Sequence, residues 1–182
     1  MALFFQSVTP RTAGYNTLDI GSMYSYTQMI IIALMFIGAS PGSTGGGIKT
    51  STLAVLTMSI VSLSRGKTSA SVFDRSIPQD QVAKSMAIVL LAIMLIFSVS
   101  TGLMITEGSN NYLTVLFETV SAFGTMGLTM GLTPSLTAGG KLLIIITMFL
   151  GRLGTMTMLL ALAEKGKSKS NINYPRGNIM VG

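Results

Sequence analysis

Three apolar stretches organise the chain. Residues 85–105 run for about 21 positions without a charge, enough at 1.5 Å per residue to cross a hydrocarbon core of about 30 Å as one helix. Residues 141–163 form a second stretch of similar length, carrying a single internal charge, Arg152. The third, residues 27–63, is too long for one simple crossing. Its middle consists of Gly38, Ala39, Ser40, Pro41, Gly42, Ser43, Thr44, Gly45, Gly46 and Gly47, a proline and five glycines that no uninterrupted helix would carry. The pattern predicts a helix broken there. Irregular backbone at membrane depth survives only where protein buries it or a water-filled cavity solvates it, so the break predicts a pore or cavity alongside.

Polar residues fix the expected topology. Residues 65–84 carry Arg65, Lys67, Arg75 and Lys84 against Asp74 and Asp80, and the tail adds Lys165, Lys167, Lys169 and Arg176. An excess of Lys and Arg beside apolar spans marks the cytoplasmic side. Residues 17–26 and 107–112, with only Asp19 and Glu107 as charges, are then expected outside. Residues 4–16 and 112–129 would dip in from that side and return. The start, MALFFQSVTP, shows neither the basic region nor the cleavage site of a signal peptide.

The two dipping segments match each other. Phe5-Gln6-Ser7-Val8-Thr9 falls beside Phe117-Glu118-Thr119-Val120-Ser121, and Thr12-Ala13-Gly14-Tyr15-Asn16 beside Thr125-Met126-Gly127-Leu128-Thr129, with one inserted residue around Gly124. Further on, Met35-Phe36-Ile37-Gly38 aligns with Met148-Phe149-Leu150-Gly151. This register describes two copies of one unit: a re-entrant helix, a Thr-x-Gly turn and a following membrane helix. In such a unit, main-chain oxygens of the returning strand can replace the hydration shell of a cation. Glycine permits backbone angles that aim a carbonyl without a Cβ penalty, and hard alkali cations suit neutral oxygens. Gln6 and Glu118 either tune cation occupancy or, the weightier reading, bond backbone and neighbouring side chains. Ordinary loops between membrane helices would explain one Thr-x-Gly segment, but not two in register.

Composition narrows the classes. With 49% hydrophobic and 10% charged residues and a mean hydropathy of +0.64, the bilayer is the expected solvent. The net charge of +6 lies in loops with little aromatic interleaving, which argues against nucleic acid as a partner. There is no Cys and no His, which removes thiolate and imidazole chemistry. The acidic residues are scattered, without paired-carboxylate spacing, so the inventory argues against an enzyme. Residues 42–50 nearly spell a phosphate-binding loop, but Ile48 intervenes before Lys49 and the preceding residues read as helix, not strand. A charge at Arg152 inside a span costs at least about 2.5 kcal/mol on insertion scales, so it is expected to face a pore or an acidic partner. The methionines around the second unit read as adaptable packing. The lysine cluster at 165–169 fits anionic lipid or a cytoplasmic partner, although a topology signal explains it equally well.

The sequence resembles the Ktr/Trk/HKT superfamily of potassium transporters, whose subunits string together four membrane helix–pore loop–membrane helix repeats. Ser7-Val8-Thr9-Pro10-Arg11-Thr12-Ala13-Gly14-Tyr15-Asn16-Thr17 is similar to the third filter region of that family, and Ser40-Pro41-Gly42-Ser43-Thr44-Gly45-Gly46-Gly47-Ile48-Lys49-Thr50 to its interrupted third-repeat helix. Thr125-Met126-Gly127-Leu128-Thr129 looks like the fourth filter strand, and Tyr174-Pro175-Arg176-Gly177-Asn178-Ile179-Met180-Val181-Gly182 like the C-terminal end of bacterial KtrB subunits. The resemblance implies an all-α membrane protein built of pore-loop repeats around a central pore. It implies a K+ filter, with Na+ as a possible second ion, at Thr12, Ala13, Gly14, Tyr15, Asn16, Thr125, Met126, Gly127, Leu128 and Thr129. It implies a gate at residues 38–47 with Lys49 and Arg152, in which Lys49 marks the cytoplasmic edge and repels cations. Arg11 is expected to anchor the first pore helix by bonding carbonyls.

The segments implied are 1–17, pore helix and filter of the third repeat; 18–64, its interrupted helix; 65–84, a cytoplasmic loop; 85–163, the fourth repeat; and 164–182, a cytoplasmic tail. Two complete repeats and the first helix of the third are expected upstream of Met1. The resemblance also implies a multi-pass cell-membrane protein, contact with membrane lipid, a homodimer, and a cytoplasmic KtrA-like ring that binds ATP or ADP in place of this chain. One glycine per filter copy predicts weaker discrimination against sodium than in channels. The alternatives are the Trk branch, a non-conducting membrane scaffold, and a membrane ATPase.

Overall fold

The computed structural model describes residues 2–66, 71–72, 75–108 and 111–153. Six α-helices carry the architecture: α1 (Ala2–Val8), α2 (Ser25–Phe36), α3 (Thr50–Ser64), α4 (Gln79–Glu107), α5 (Tyr112–Gly124) and α6 (Ala138–Leu153), with a short 3-10 turn at Thr133–Ser135. One feature departs from an all-α chain. Within the basic loop, β1 (Ser71–Val72) pairs antiparallel with β2 (Arg75–Ser76) over two residues each.

Helix α4 is 29 residues long, about 43 Å at helical rise, and its most apolar stretch has a mean hydropathy of 2.6. Among the described residues it is the one helix long and apolar enough to cross a membrane. It begins after Pro78, carries Asp80 in its first turn where the helix dipole favours an anion, and ends at Gly108 with φ 74°. Residues 79–84, expected in the cytoplasmic loop, therefore belong to this helix. Ile88, Ala92, Ile96, Ser100 and Leu103 recur at helical spacing and are buried, while Leu90, Met94 and Phe97 on the other side are exposed.

Helix α5 lies at the centre, packed against α2, α4 and α6. Every residue from Phe117 to Gly124 is buried, so the helix has no solvent face at its C-terminal half. Its thirteen residues rise only about 20 Å, short of a full crossing. The main apolar core joins Ile31 and Met35 of α2, Ala92 and Ile96 of α4, and Phe117, Val120 and Phe123 of α5. Gly151 of α6 permits the closest approach in this bundle, since a Cβ there would overlap the carbonyl of Phe123.

The long apolar stretch is divided. Helix α2 stops at Phe36 and α3 resumes at Thr50. The intervening loop is pinched at its base by a parallel bridge between Ile37 and Ile48, in which Gly38 N donates to Ile48 O at 2.8 Å and Ile48 N to Phe36 O at 3.3 Å. A side chain at Gly38 would run into the carbonyl of Gly46, so the pinch requires glycine there. Of the stretch 141–163, the part up to Leu153 is helical, and residues 154–163 and the tail at 164–182 lie outside the described residues.

Candidate functional site: two turns and the loop against them

Each short helix ends in a turn of the same unusual shape. Thr12 and Thr125 have φ of 68° and 55°, and among the described residues they are the only non-glycine residues in the left-handed region. Left-handed backbone is a genuine outlier for a β-branched residue and persists only where its surroundings over-determine it. Two residues further on, Gly14 and Gly127 have φ of 71° and 79°.

Equivalent hydroxyls hold the two turns. Thr9 Oγ1 donates to Tyr15 O at 2.5 Å, and Ser121 Oγ donates to Leu128 O at 2.6 Å. Thr9 aligns with Ser121 and Tyr15 with Leu128 in the sequence repeat, so the internal register reappears as one hydrogen bond made twice. In the second copy the helix end adds Thr125 N to Ala122 O at 3.1 Å and Met126 N to Ser121 O at 2.9 Å.

The main-chain oxygens of Thr12, Ala13, Gly14, Thr125, Met126 and Gly127 accept no hydrogen bond from any described residue. Bare carbonyls need water or a cation as partner. They also follow the C-terminal ends of α1 and α5, where the helix dipole places partial negative charge. Among the described residues no group of three or more acidic side chains is placed to hold a metal ion.

The turns touch one another. A Cβ on Gly14 would overlap the carbonyl oxygen of Met126, and Thr12 N donates to Met126 Sδ at 2.9 Å. The interrupted helix then closes against both. Gly46 N donates to Thr125 Oγ1 at 3.1 Å, and a Cβ on Gly45 would lie 3.0 Å from Thr12 Cγ2. Only residues without side chains fit between the two threonines.

The rest of the loop turns away from this contact. Ser40, Pro41, Gly42, Ser43 and Thr44 are exposed, with Ser43 N and Oγ both donating to Ser40 O. Lys49 Nζ folds back onto the loop and donates to Ser43 O at 3.1 Å and Gly45 O at 2.7 Å. The ammonium satisfies loop carbonyls that the broken helix leaves open.

Arg152, one residue beyond the Gly151–Phe123 approach, is exposed and has no acidic partner among the described residues. Arg11 is exposed and its side chain bonds no described carbonyl, unlike the anchoring role expected of it.

The sequence leaves Glu118 open between two roles. The side chain is 4% exposed, and its Oε1 accepts from Thr129 Oγ1, from Met130 N at 3.0 Å and from Leu132 N at 3.3 Å, while Oε2 accepts from Thr133 Oγ1 at 2.7 Å. Its counterpart Gln6 is 6% exposed, and neither Oε1 nor Nε2 has a partner among the described residues. A lone acid inside an apolar helical run is the one signal of this cluster in the sequence.

The TrkH family, described as cation transport protein, matches residues 1–174. The chain belongs to the TrkH family. Ktr system potassium uptake protein B of Bacillus subtilis is 45% identical over all of this chain and 40% of its own length. Ktr system potassium uptake protein D of the same organism is 40% identical over 98% of this chain and 39% of its own. Potassium/sodium uptake protein NtpJ of Enterococcus hirae is 42% identical over 98% and 41%. This TrkH-family chain thus spans about two fifths of the length of these relatives. The crystal structure of the potassium transporter TrkH from Vibrio parahaemolyticus superposes with a TM-score of 0.71 over 88% of this chain and 36% of that one, at 24% identity, which shows a shared fold.

Proposed function

We propose that this chain supplies two filter strands and the gate of a membrane-embedded potassium uptake protein of the Ktr type, which passes partly dehydrated K+, and Na+ less well, down its electrochemical gradient. The carrying observation is the pair of matched turns: bare main-chain oxygens from both copies lie around a glycine-to-carbonyl contact, at the dipole-negative ends of two short helices. Thr12 to Asn16 and Thr125 to Thr129 line the ion site. The remaining oxygens of a full coordination shell come from repeats elsewhere in the full-length protein.

The loop of residues 38–47, wedged against Thr12 and Thr125, is the gate in this reading, and opening displaces Gly45 and Gly46 from the threonines. Lys49 then acts as a latch that keeps the loop compact, and Arg152 adds a positive charge at the level where α6 passes the end of α5. The relatives' designation as Ktr system proteins supports a multi-component assembly, which we take to be a homodimer on a cytoplasmic KtrA-like ring that holds ATP or ADP.

The test is potassium uptake by the full-length protein in a strain lacking its own uptake systems. Restored growth at low potassium is expected, and no uptake at normal membrane abundance would remove the transport reading. Deleting residues 42–46 should raise the maximal rate at least about threefold, since it takes away the wedge without touching the turns. An unchanged rate would reject the gate.

A further inference from the structure

The two turns are backed differently, and this asymmetry has a functional consequence that rests on the transport reading above. Behind the second turn, the Glu118 carboxylate gathers four donors from the five-residue return segment 129–133: two main-chain N–H groups and two threonine hydroxyls. Gly131 N also donates to Thr129 Oγ1 at 2.9 Å, so the segment is laced to itself as well as to α5. Behind the first turn no carboxylate of the short helix gathers donors in this way among the described residues. Gln6 reaches no donor or acceptor among the described residues, and the return segment is held by Leu18 N to Asn16 Oδ1 at 3.3 Å and Gly21 N to Asp19 Oδ1 at 3.1 Å, and further on by the Gln28 amide of α2, which donates to Ile20 O at 3.0 Å and Gly21 O at 3.4 Å, all of them single bonds to neutral groups or exposed turns.

We propose that Glu118 is a positioning residue for ion selection. By clamping residues 129–133 to the pore helix, it fixes the spacing of the second strand's carbonyls, while the first strand, with no clamp from Gln6, stays the compliant side of the site. A rigid wall holds oxygens at the distance a larger alkali ion prefers and resists collapse around a smaller one, and the yielding wall lets the ion enter and leave. Glu118 acts here through the strand and not as a ligand, because both of its oxygens are already occupied by donors.

Substitutions separate position from charge. In Glu118→Gln the remaining oxygen can keep the Oε1 contacts, and the new NH2 can donate to Thr133 Oγ1, so the clamp persists with weaker, uncharged bonds. In Glu118→Ala the two N–H groups lose their partner. The readout is the ratio of uptake efficiencies for K+ and Na+, each as maximal rate over KM, in the full-length protein. The wild type is measured first; if it moves no ion, the transport reading fails independently of this one.

Expected falls in the ratio are about tenfold for Glu118→Ala, about threefold for Glu118→Gln and about twofold for Thr133→Val. Gln6→Leu should leave the ratio within about twofold of wild type. An unchanged ratio in Glu118→Ala at normal membrane abundance overturns the proposal. So does a loss in Glu118→Gln as large as in Glu118→Ala, which would make the charge the determinant. A tenfold loss in Gln6→Leu overturns the asymmetry. Should Glu118→Ala fail to reach the membrane, Glu118→Gln and Thr133→Val carry the decision: no change in either refutes the clamp.

Discussion

Around the first turn the chain is open: Ala13 and Asn16 are exposed and Tyr15 is 73% exposed, following a helix of only seven residues. Around the second, Met126 and Leu128 are 2% and 3% exposed and the turn follows a helix whose C-terminal half is buried on every side. Yet the backbone is the same in both, with a left-handed threonine, a left-handed glycine and a hydroxyl holding the same carbonyl. The contrast separates two causes. Local residues write the conformation, since Thr, Gly and an upstream hydroxyl recur with it. Tertiary burial supplies the rigidity, and the first turn borrows part of its backing from Met126 of the second.

The largest effect expected from this contrast falls on the glycines. Gly14→Ala combines a strained φ of 71° with overlap onto the Met126 carbonyl, and would cost about 2–4 kcal/mol, displacing one turn from the other. Gly127→Ala has the same kind of φ, 79°, but the nearest neighbour of its Cβ is Gly14 Cα at 4.0 Å, so only the conformational cost of about 1–2 kcal/mol applies. Potassium uptake by the full-length protein should fall at least about tenfold more in Gly14→Ala than in Gly127→Ala. Equal losses would mean that the two turns do not press on each other.

Much of this was legible in the sequence because it is local. The uncharged run at 85–105 marked α4 to within six residues at its start and two at its end. Proline and glycine marked the break between Phe36 and Thr50, and the repeat register put the two left-handed threonines at equivalent positions. What stayed hidden depends on partners remote in sequence or on side-chain direction. The Met126 sulfur meets a peptide N–H 114 residues away, which no periodicity announces. The fold-back of Lys49 depends on the turn that Ser43 and Gly45 make, and the exposed position of Arg11 on how α1 ends. The β1–β2 pair is too short to leave an alternating pattern.

A smaller effect separates the hydroxyl tethers. Thr9→Ala and Ser121→Ala each remove one hydrogen bond to a turn carbonyl, of Tyr15 and Leu128 respectively, worth about 1 kcal/mol. The second segment keeps its main-chain bond from Met126 N to Ser121 O and its ties to the Glu118 carboxylate, whereas the first keeps the bond from Arg11 N to Val8 O and the weaker contact of Thr12 N with Met126 Sδ. Thr9→Ala should therefore raise the KM for potassium by about fivefold and Ser121→Ala by no more than about twofold. The reverse order would place the rigid side of the site at the first turn.

The smallest expected effect lies on the contact between the copies. Met126→Leu keeps the buried volume but withdraws the sulfur that accepts from Thr12 N, and volume-conserving swaps of this kind cost under about 1.5 kcal/mol. Because thioether sulfur is a weak acceptor, overall stability should change little. The loss is felt by Thr12, whose left-handed backbone has one support fewer, and not by Thr125, whose N–H bonds Ala122 O. Uptake kinetics of Met126→Leu should resemble a mild Thr9→Ala, with a KM for potassium about twofold above wild type. In Thr9→Ala/Met126→Leu the two effects should exceed their sum, since both remove support from one turn. Simple additivity would show that the sulfur contact packs the interface without holding the first turn in shape.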